Sequence, residues 1–246
     1  MNDINNLFNI KCNYNHDNCK NIATKISALH KKGVKIDNHL FTSYISYLNR
    51  SQQFYYEKCM GRKEIYIPII KQALDYLILS NEDMCILASF PCVNKPINNP
   101  NIIDPLVEIF TIIVNKKIPI SPHVLETSII HNNFDVATFL INHINPDGKC
   151  LEAACSSSHS YVLVTLLLLQ KVEITEQAVI NAIKQKNVYN TGTLLQFGFE
   201  PTLKCLIEAC KIHNEQIINK ILLCKITPTQ ECFNALLDGA SICDVK

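Results

Sequence analysis

Along the second half of the chain, apolar positions recur at helical spacing, and the spacing itself repeats. The segments HVLETSII, KCLEAACS, QAVINAIK, KCLIEACK and QECFNALL each carry a small residue at one position: Ser128, Ala154, Ala182, Ala209 and Ala235, separated by 26, 28, 27 and 26 residues. Three before and one after it stand apolar or small residues: Leu125 and Ile129, Leu151 and Cys155, Val179 and Ile183, Leu206 and Cys210, Cys232 and Leu236. That arrangement is one face of a helix, here termed A-type. A second helical pattern, B-type, follows at fixed distance as Val136/Ala137/Leu140/Ile141, Val162/Leu163/Leu166/Leu167 and Ile217/Ile218/Ile221/Leu222. One unit keeps only Leu194 and Leu195, with Asn190 and Thr191 in the earlier slots. The turn between the two helices holds Asn133, His159, Asn187 or Asn214. Ser121-Pro122, Thr175-Glu176, Pro201-Thr202 and Thr227-Pro228 are helix-start signals that open the next A-type helix.

The pattern predicts an all-α fold, an α-solenoid of stacked helix–turn–helix hairpins with units of about 27 residues. A hairpin with one apolar stripe per helix cannot bury both alone, so neighbours bury them for each other. The small residue lets A-type helices approach closely. The template extends backwards with interruptions, through Phe41, Tyr44 and Ile45 and through Cys85, Ala88 and Ser89, the latter introduced by Ser80. Residues 1–119 therefore read as an N-terminal part with insertions at about 49–66 and 91–103, and 120–246 as regular repeats of one continuous domain.

The stretch CLIEACKIHNEQIINKILL (205–223) resembles the ankyrin hairpin, through Leu206, Ala209, Cys210, Asn214, Ile217, Ile218 and Leu222. LLQFGFEP (194–201) resembles the ankyrin exit turn, with Gly198 as its left-handed glycine, and ALHKKGVKI (28–36) does the same with Gly33. The units are shorter than the 33 residues of ankyrin repeats and lack the part that builds a β-hairpin finger. In an Asn/Ile/Lys-rich chain they look like the degenerate ankyrin-repeat proteins of large DNA viruses and AT-rich protists. The resemblance implies a scaffold that binds another protein, host or viral, with no cofactor and no small-molecule substrate. ITPTQECFNALLDG (226–239) and FEPTLKCLIEACK (199–211) also look like pentatricopeptide repeats, which bind single-stranded RNA, and that reading is the alternative.

Charge bears on that choice. Lys and Arg total 23 against 22 Asp and Glu, a net charge of +1 that supplies little attraction for phosphate or an anionic membrane. The longest apolar run, Tyr161 to Leu169, is too short to span a bilayer, and MNDINNLFNI shows no secretory pattern. A cytoplasmic setting is expected, where the 12 cysteines would be free thiols.

The candidate chemistry is sparse. Cys12, His16 and Cys19 could contribute to a zinc site with His30 or Asp17, but C-x3-H-x2-C is not a usual finger spacing, and a polar loop is the reading adopted. Cys150/Cys155 and Cys205/Cys210 share a C-x4-C spacing, yet side chains five apart on a helix diverge by about 140°. They fall in equivalent slots that demand small residues and are expected in the core. No catalytic residue is assigned and no enzyme is expected: glycine-rich phosphate loops, zinc-protease motifs and nucleophile elbows are absent. The insertion NRSQQFYYEKCMGRKEIY (49–66) interleaves Phe54, Tyr55, Tyr56 and Tyr66 with Arg50, Lys58, Arg62 and Lys63, a mixture suited to a protein-binding surface. Both insertions fall in A-to-B connections, which a solenoid aligns along one edge.

Overall fold

The structure, a computed structural model, describes residues 71, 74, 79–89, 104–157 and 160–240. Among these all regular structure is helical. The chain divides into two compact units, Met1–His143 and Ile144–Lys246.

The first unit contains α1 (Asn81–Ala88), α2 (Pro105–Asn115), α3 (Pro122–Ile130) and α4 (Phe134–Ile141). The A-type helices α1 and α3 lie side by side, as do the B-type α2 and α4, and α3 packs on α4 as a hairpin. Neighbours are tied start to start: the Ser121 N–H donates to Asn81 Oδ1 at 3.0 Å, and the Asp104 N–H to Asp135 Oδ2 at 3.3 Å. Helix α2 begins at Pro105 behind its N-cap Asp104, whose carboxylate accepts from the Leu106 N–H at 2.9 Å. Its face Leu106, Ile109, Phe110 and Ile113 is fully buried.

The second unit contains α5 (Gly148–Cys155), α6 (Tyr161–Leu169), α7 (Glu176–Lys184), α8 (Val188–Gln196), α9 (Leu203–Lys211), α10 (Glu215–Leu222) and α11 (Gln230–Ala240). The A-type α5, α7, α9 and α11 each pack on the next, and so do the B-type α6, α8 and α10. Hairpin partners α5/α6, α7/α8 and α9/α10 also touch, so within this unit the hairpins repeat side by side as the periodicity requires.

The recurrent small residues are where the pattern put them. Ser128, Ala154, Ala182 and Ala209 are fully buried and Ala235 is 7% exposed. Each of the first four lies seven residues, just under two turns, after its helix's N-cap: Ser121, Asp147, Thr175 and Thr202. Asp147, Thr175 and Thr202 accept from the N–H groups of Cys150, Ala178 and Cys205 at 3.1, 3.1 and 3.4 Å. Asp147 was not among the sequence-derived start signals.

The A-to-B turn explains its asparagines. After α3 the Asn133 N–H returns to the Ser128 carbonyl at 2.8 Å, and after α7 the Asn187 N–H returns to Ala182 at 3.0 Å. Asn132 and Lys186, just before them, stand at φ 57° and 54° and complete Schellman closures onto Ile129 and Ile183. The same asparagines then cap the next helix, Oδ1 accepting from Val136 at 3.4 Å and Asn190 at 2.9 Å; Asn214 caps Ile217 at 3.1 Å. One residue closes helix A with its backbone and opens helix B with its side chain. The B-type helices α2, α6, α8 and α10 are followed by left-handed Lys117, Lys171, Gly198 and Lys225, so the expected glycine role holds at Gly198 (φ 99°), while Gly33 lies outside the described residues.

Three expectations of register need correction. The α5–α6 turn is one residue longer than the others, so the N-cap of α6 is Ser160, and His159 lies outside the described residues. The Ser160 hydroxyl donates to the Ala154 carbonyl, standing in for the missing asparagine N–H. The shift buries Leu163, Val164, Leu167 and Leu168, and leaves Val162 48% exposed. In α1 the slot seven residues after the N-cap Ser80 belongs to Leu87 rather than Ala88, because Ser80 and Asp83 form a capping box that fixes the helix start. Helix α11 starts at Gln230, beyond Thr227-Pro228, its first turn marked by the Cys232 N–H to the Thr229 carbonyl at 3.0 Å.

Two outcomes follow from this packing. Ala182→Leu or Ala209→Leu should overfill the seam between A-type helices and cost about 1–3 kcal/mol in urea unfolding, while Lys184→Ala on the exposed side changes stability by less than about 0.5 kcal/mol. Lys186→Gly relieves a left-handed strain of roughly 1–2 kcal/mol, offset by about 0.5–1 kcal/mol of added unfolded-state freedom. A net gain in unfolding midpoint is expected; a loss would show that the turn holds Lys186 without strain.

Candidate functional site

The residues singled out in the first insertion, Arg50, Phe54, Tyr55, Tyr56, Lys58, Arg62, Lys63 and Tyr66, lie outside the described residues, as do Cys12, His16 and Cys19. The second insertion, 91–103, lies outside them as well. Among the described residues no three His, Cys, Asp or Glu side chains are grouped to hold a metal ion, and no helix is long and apolar enough to cross a membrane.

Exposed large apolar side chains of the second unit stand at the two ends of its B-type helices and, as Phe233 and Leu237, on the A-type α11. At the A-to-B edge, Tyr161 and Tyr189 are 55% and 60% exposed, and their rings meet edge to face with centroids 5.8 Å apart and planes at 80°. Tyr161 is the first residue of α6 and Tyr189 the second of α8, positions that turn away from the buried stripe. The extra turn residue before α6 is what brings Val162 out beside them. A T-shaped aromatic pair in water is an amphipathic platform: flat apolar faces with a phenol hydroxyl at each tip. Periodicity missed this pair, since its signal names the buried side. The legible trace was two tyrosines directly behind consecutive helix starts, 28 residues apart.

The opposite edge, where B-type helices lead into the next A-type helix, holds an open groove of about 630 Å³. Leu168, Val172, Ile174, Phe197 and Phe199 line it, with Lys171 and Glu200 among its polar members. Between A-type helices the seam carries polar ties: the Thr175 hydroxyl donates to Glu152 Oε1 at 2.6 Å, and the Thr202 hydroxyl to Glu176 Oε1 at 2.5 Å. Lys204 meets Glu176 at 3.1 Å. The Thr202 hydroxyl and then Lys204 hold the Glu176 carboxyl below its ordinary range.

The cysteines belong to the core, as their spacing suggested. Cys150, Cys155, Cys205 and Cys210 are buried, and Cys232 joins them. Burial, followed by the charge of Glu152, pushes the Cys155 thiol from 9.0 up to about 12. Burial also raises Cys210, with Cys232 adding to it, and raises Cys85. Thiols held protonated make poor nucleophiles and poor metal ligands. Among the described residues Cys85 is half-buried and Cys224 is exposed.

Comparison of the chain with models of known protein families and with curated proteins finds no match.

Because the folded Cys155 pKa lies above its ordinary value, this group's contribution is fully present below about pH 9 and is lost as pH rises towards 12. Between those limits the unfolded thiol ionises and the folded one does not. Urea midpoints at pH 8 and pH 10 should therefore fall less steeply in Cys155→Ala than in the parent chain. In native protein, iodoacetamide should label Cys224 well before Cys155, and equal rates would contradict the burial.

Proposed function

We propose that this chain is a non-catalytic protein-binding module of ankyrin-repeat type, working through the A-to-B edge of its hairpins. The observation that carries the reading is the exposed Tyr161–Tyr189 pair on neighbouring B-type helices. Tyrosines of this kind are common anchors in protein interfaces, because they bury large area at low cost in side-chain freedom. Rigid capped hairpins beneath them hold the anchors in place before a partner arrives, which reduces the ordering entropy of binding. The aromatic and basic residues of 49–66, which the sequence pattern expects in an A-to-B connection, are proposed as a separate contact region of the first unit. Repetition of the helical hairpin, the left-handed Gly198 exit and the buried alanine after the capped starts of α5, α7 and α9 support the ankyrin-type reading. A cytoplasmic setting and a host or viral partner complete the proposal; the free thiols Cys155, Cys205 and Cys210 support a reducing compartment.

The test is affinity capture from the source cell with the full chain and with Tyr161→Ala/Tyr189→Ala. Both side chains are exposed, so the double variant should lose less than about 1 kcal/mol of stability, while its captured partner drops at least about ten-fold, the loss of one aromatic hot spot. A partner retained at parental level removes this surface from the proposal. Tyr55→Ala/Tyr56→Ala/Arg62→Ala examines the insertion in the same way. Binding that depends on RNA and collapses with added salt would favour the pentatricopeptide-like alternative instead.

A further inference from the structure

The B-type helices of the second unit are not equally well held. Three residues after each N-cap comes a buried core slot, occupied by Leu163 in α6, Asn190 in α8 and Ile217 in α10. Asn190 is fully buried, and neither its amide nitrogen nor its amide oxygen has a hydrogen-bond partner. A buried amide without partners forfeits the water bonds it makes when exposed, a penalty that falls on the folded state alone.

The rest of α8 compounds the defect. Thr191, which takes the slot of Val164, and Thr193 turn their hydroxyls back onto the carbonyls of Asn187 and Tyr189 at 2.9 and 3.0 Å. Such bonds satisfy the hydroxyls without adding any tie to another helix, and they tend to bend the helix that carries them. Between them stands Gly192, a weak helix former in mid-helix. A Cβ built there would lie 3.0 Å from Lys220 Nζ and 3.3 Å from its Cε, so the notch is filled by the end of a flexible lysine from α10. Leu194 is the one large apolar side chain that α8 buries fully, against Leu163, Val164, Leu167 and Leu168 in α6.

The A-type layer bypasses this weak point, since α7 packs directly on α9 as well as on α8. We propose that α8 is a built-in opening point of the stack: it detaches and reforms as a local unit while α7 and α9 stay folded and in contact. In an array held by nearest-neighbour interfaces, opening concentrates where one helix contributes least. The exposed Tyr189 and Phe197 stand at the start and end of α8, so each opening changes how they are presented. The inference concerns the free chain, and a failure of the docking proposal leaves it untouched.

Hydrogen exchange read by mass spectrometry on the full chain decides it. Amides of 188–196 should exchange at least ten-fold faster than those of 161–169, 176–184 and 203–211. Asn190→Leu restores the side chain found in α6 and should slow 188–196 at least ten-fold. Gly192→Ala, whose methyl displaces only the tip of Lys220, should slow the same peptides and serves if Asn190→Leu does not fold. Protection of α8 equal to that of α6 in the parent chain overturns the proposal. So does exchange at 188–196 that neither substitution slows.

Discussion

In the hairpins α3–α4, α5–α6 and α7–α8 one carbonyl governs the turn. It belongs to the small residue at the centre of each A-type seam, and it is met by the N–H of the asparagine that begins the B-type helix after α3 and α7. That bond sets where helix A stops, and the asparagine side chain sets where helix B starts, so two helices and their angle hang on a single residue. Burial makes the constraint strict, because an unpaired carbonyl in the seam would be costly. Where the asparagine is missing, before α6, a serine hydroxyl reaches the same carbonyl from one residue further along. The helix that follows is rotated by one position, so that Val162 and Leu166 leave the core and Val164 and Leu168 enter it.

The seam and the turn act together. Capped starts fix the small residue seven positions in, beneath the neighbouring A-type helix, and the left-handed turn then sends the chain back along it. Hydroxyl and carboxylate groups of neighbouring A-type helices meet across the seam through Thr175 with Glu152 and Thr202 with Glu176. These ties give register to an interface whose alanines and cysteines have little shape to provide it. The B-type layer, in contrast, relies on apolar bulk, so the polar α8 is its weakly held member, and the continuous A-type layer carries the array past it.

Much of the fold was legible because small residues in a stacked array must recur at the length of the unit. Ala154, Ala182, Ala209 and Ala235 announced the A-type helices, and the cysteine pairs followed from the same register. Single-residue shifts were not legible. Nothing in Ser156–Ser160 declares that its turn is one residue longer, and Ala88 looks more like a seam residue than Leu87 until the capping box of Ser80 and Asp83 fixes the phase. The tyrosine pair was hidden for a different reason: hydrophobic periodicity encodes what is buried, whereas a binding edge is defined by apolar groups left outside it. The aromatic and basic insertion stood out by composition, which names residue types without arranging them.

Four of the left-handed turn positions are occupied by lysine, at 117, 171, 186 and 225, in a chain with 6 glycines. Glycine takes such a torsion without steric cost, whereas an L side chain does not. The corners of the hairpins therefore store strain that the capped starts and the buried seam must outweigh, and the margin of the array is set at its turns as much as in its core.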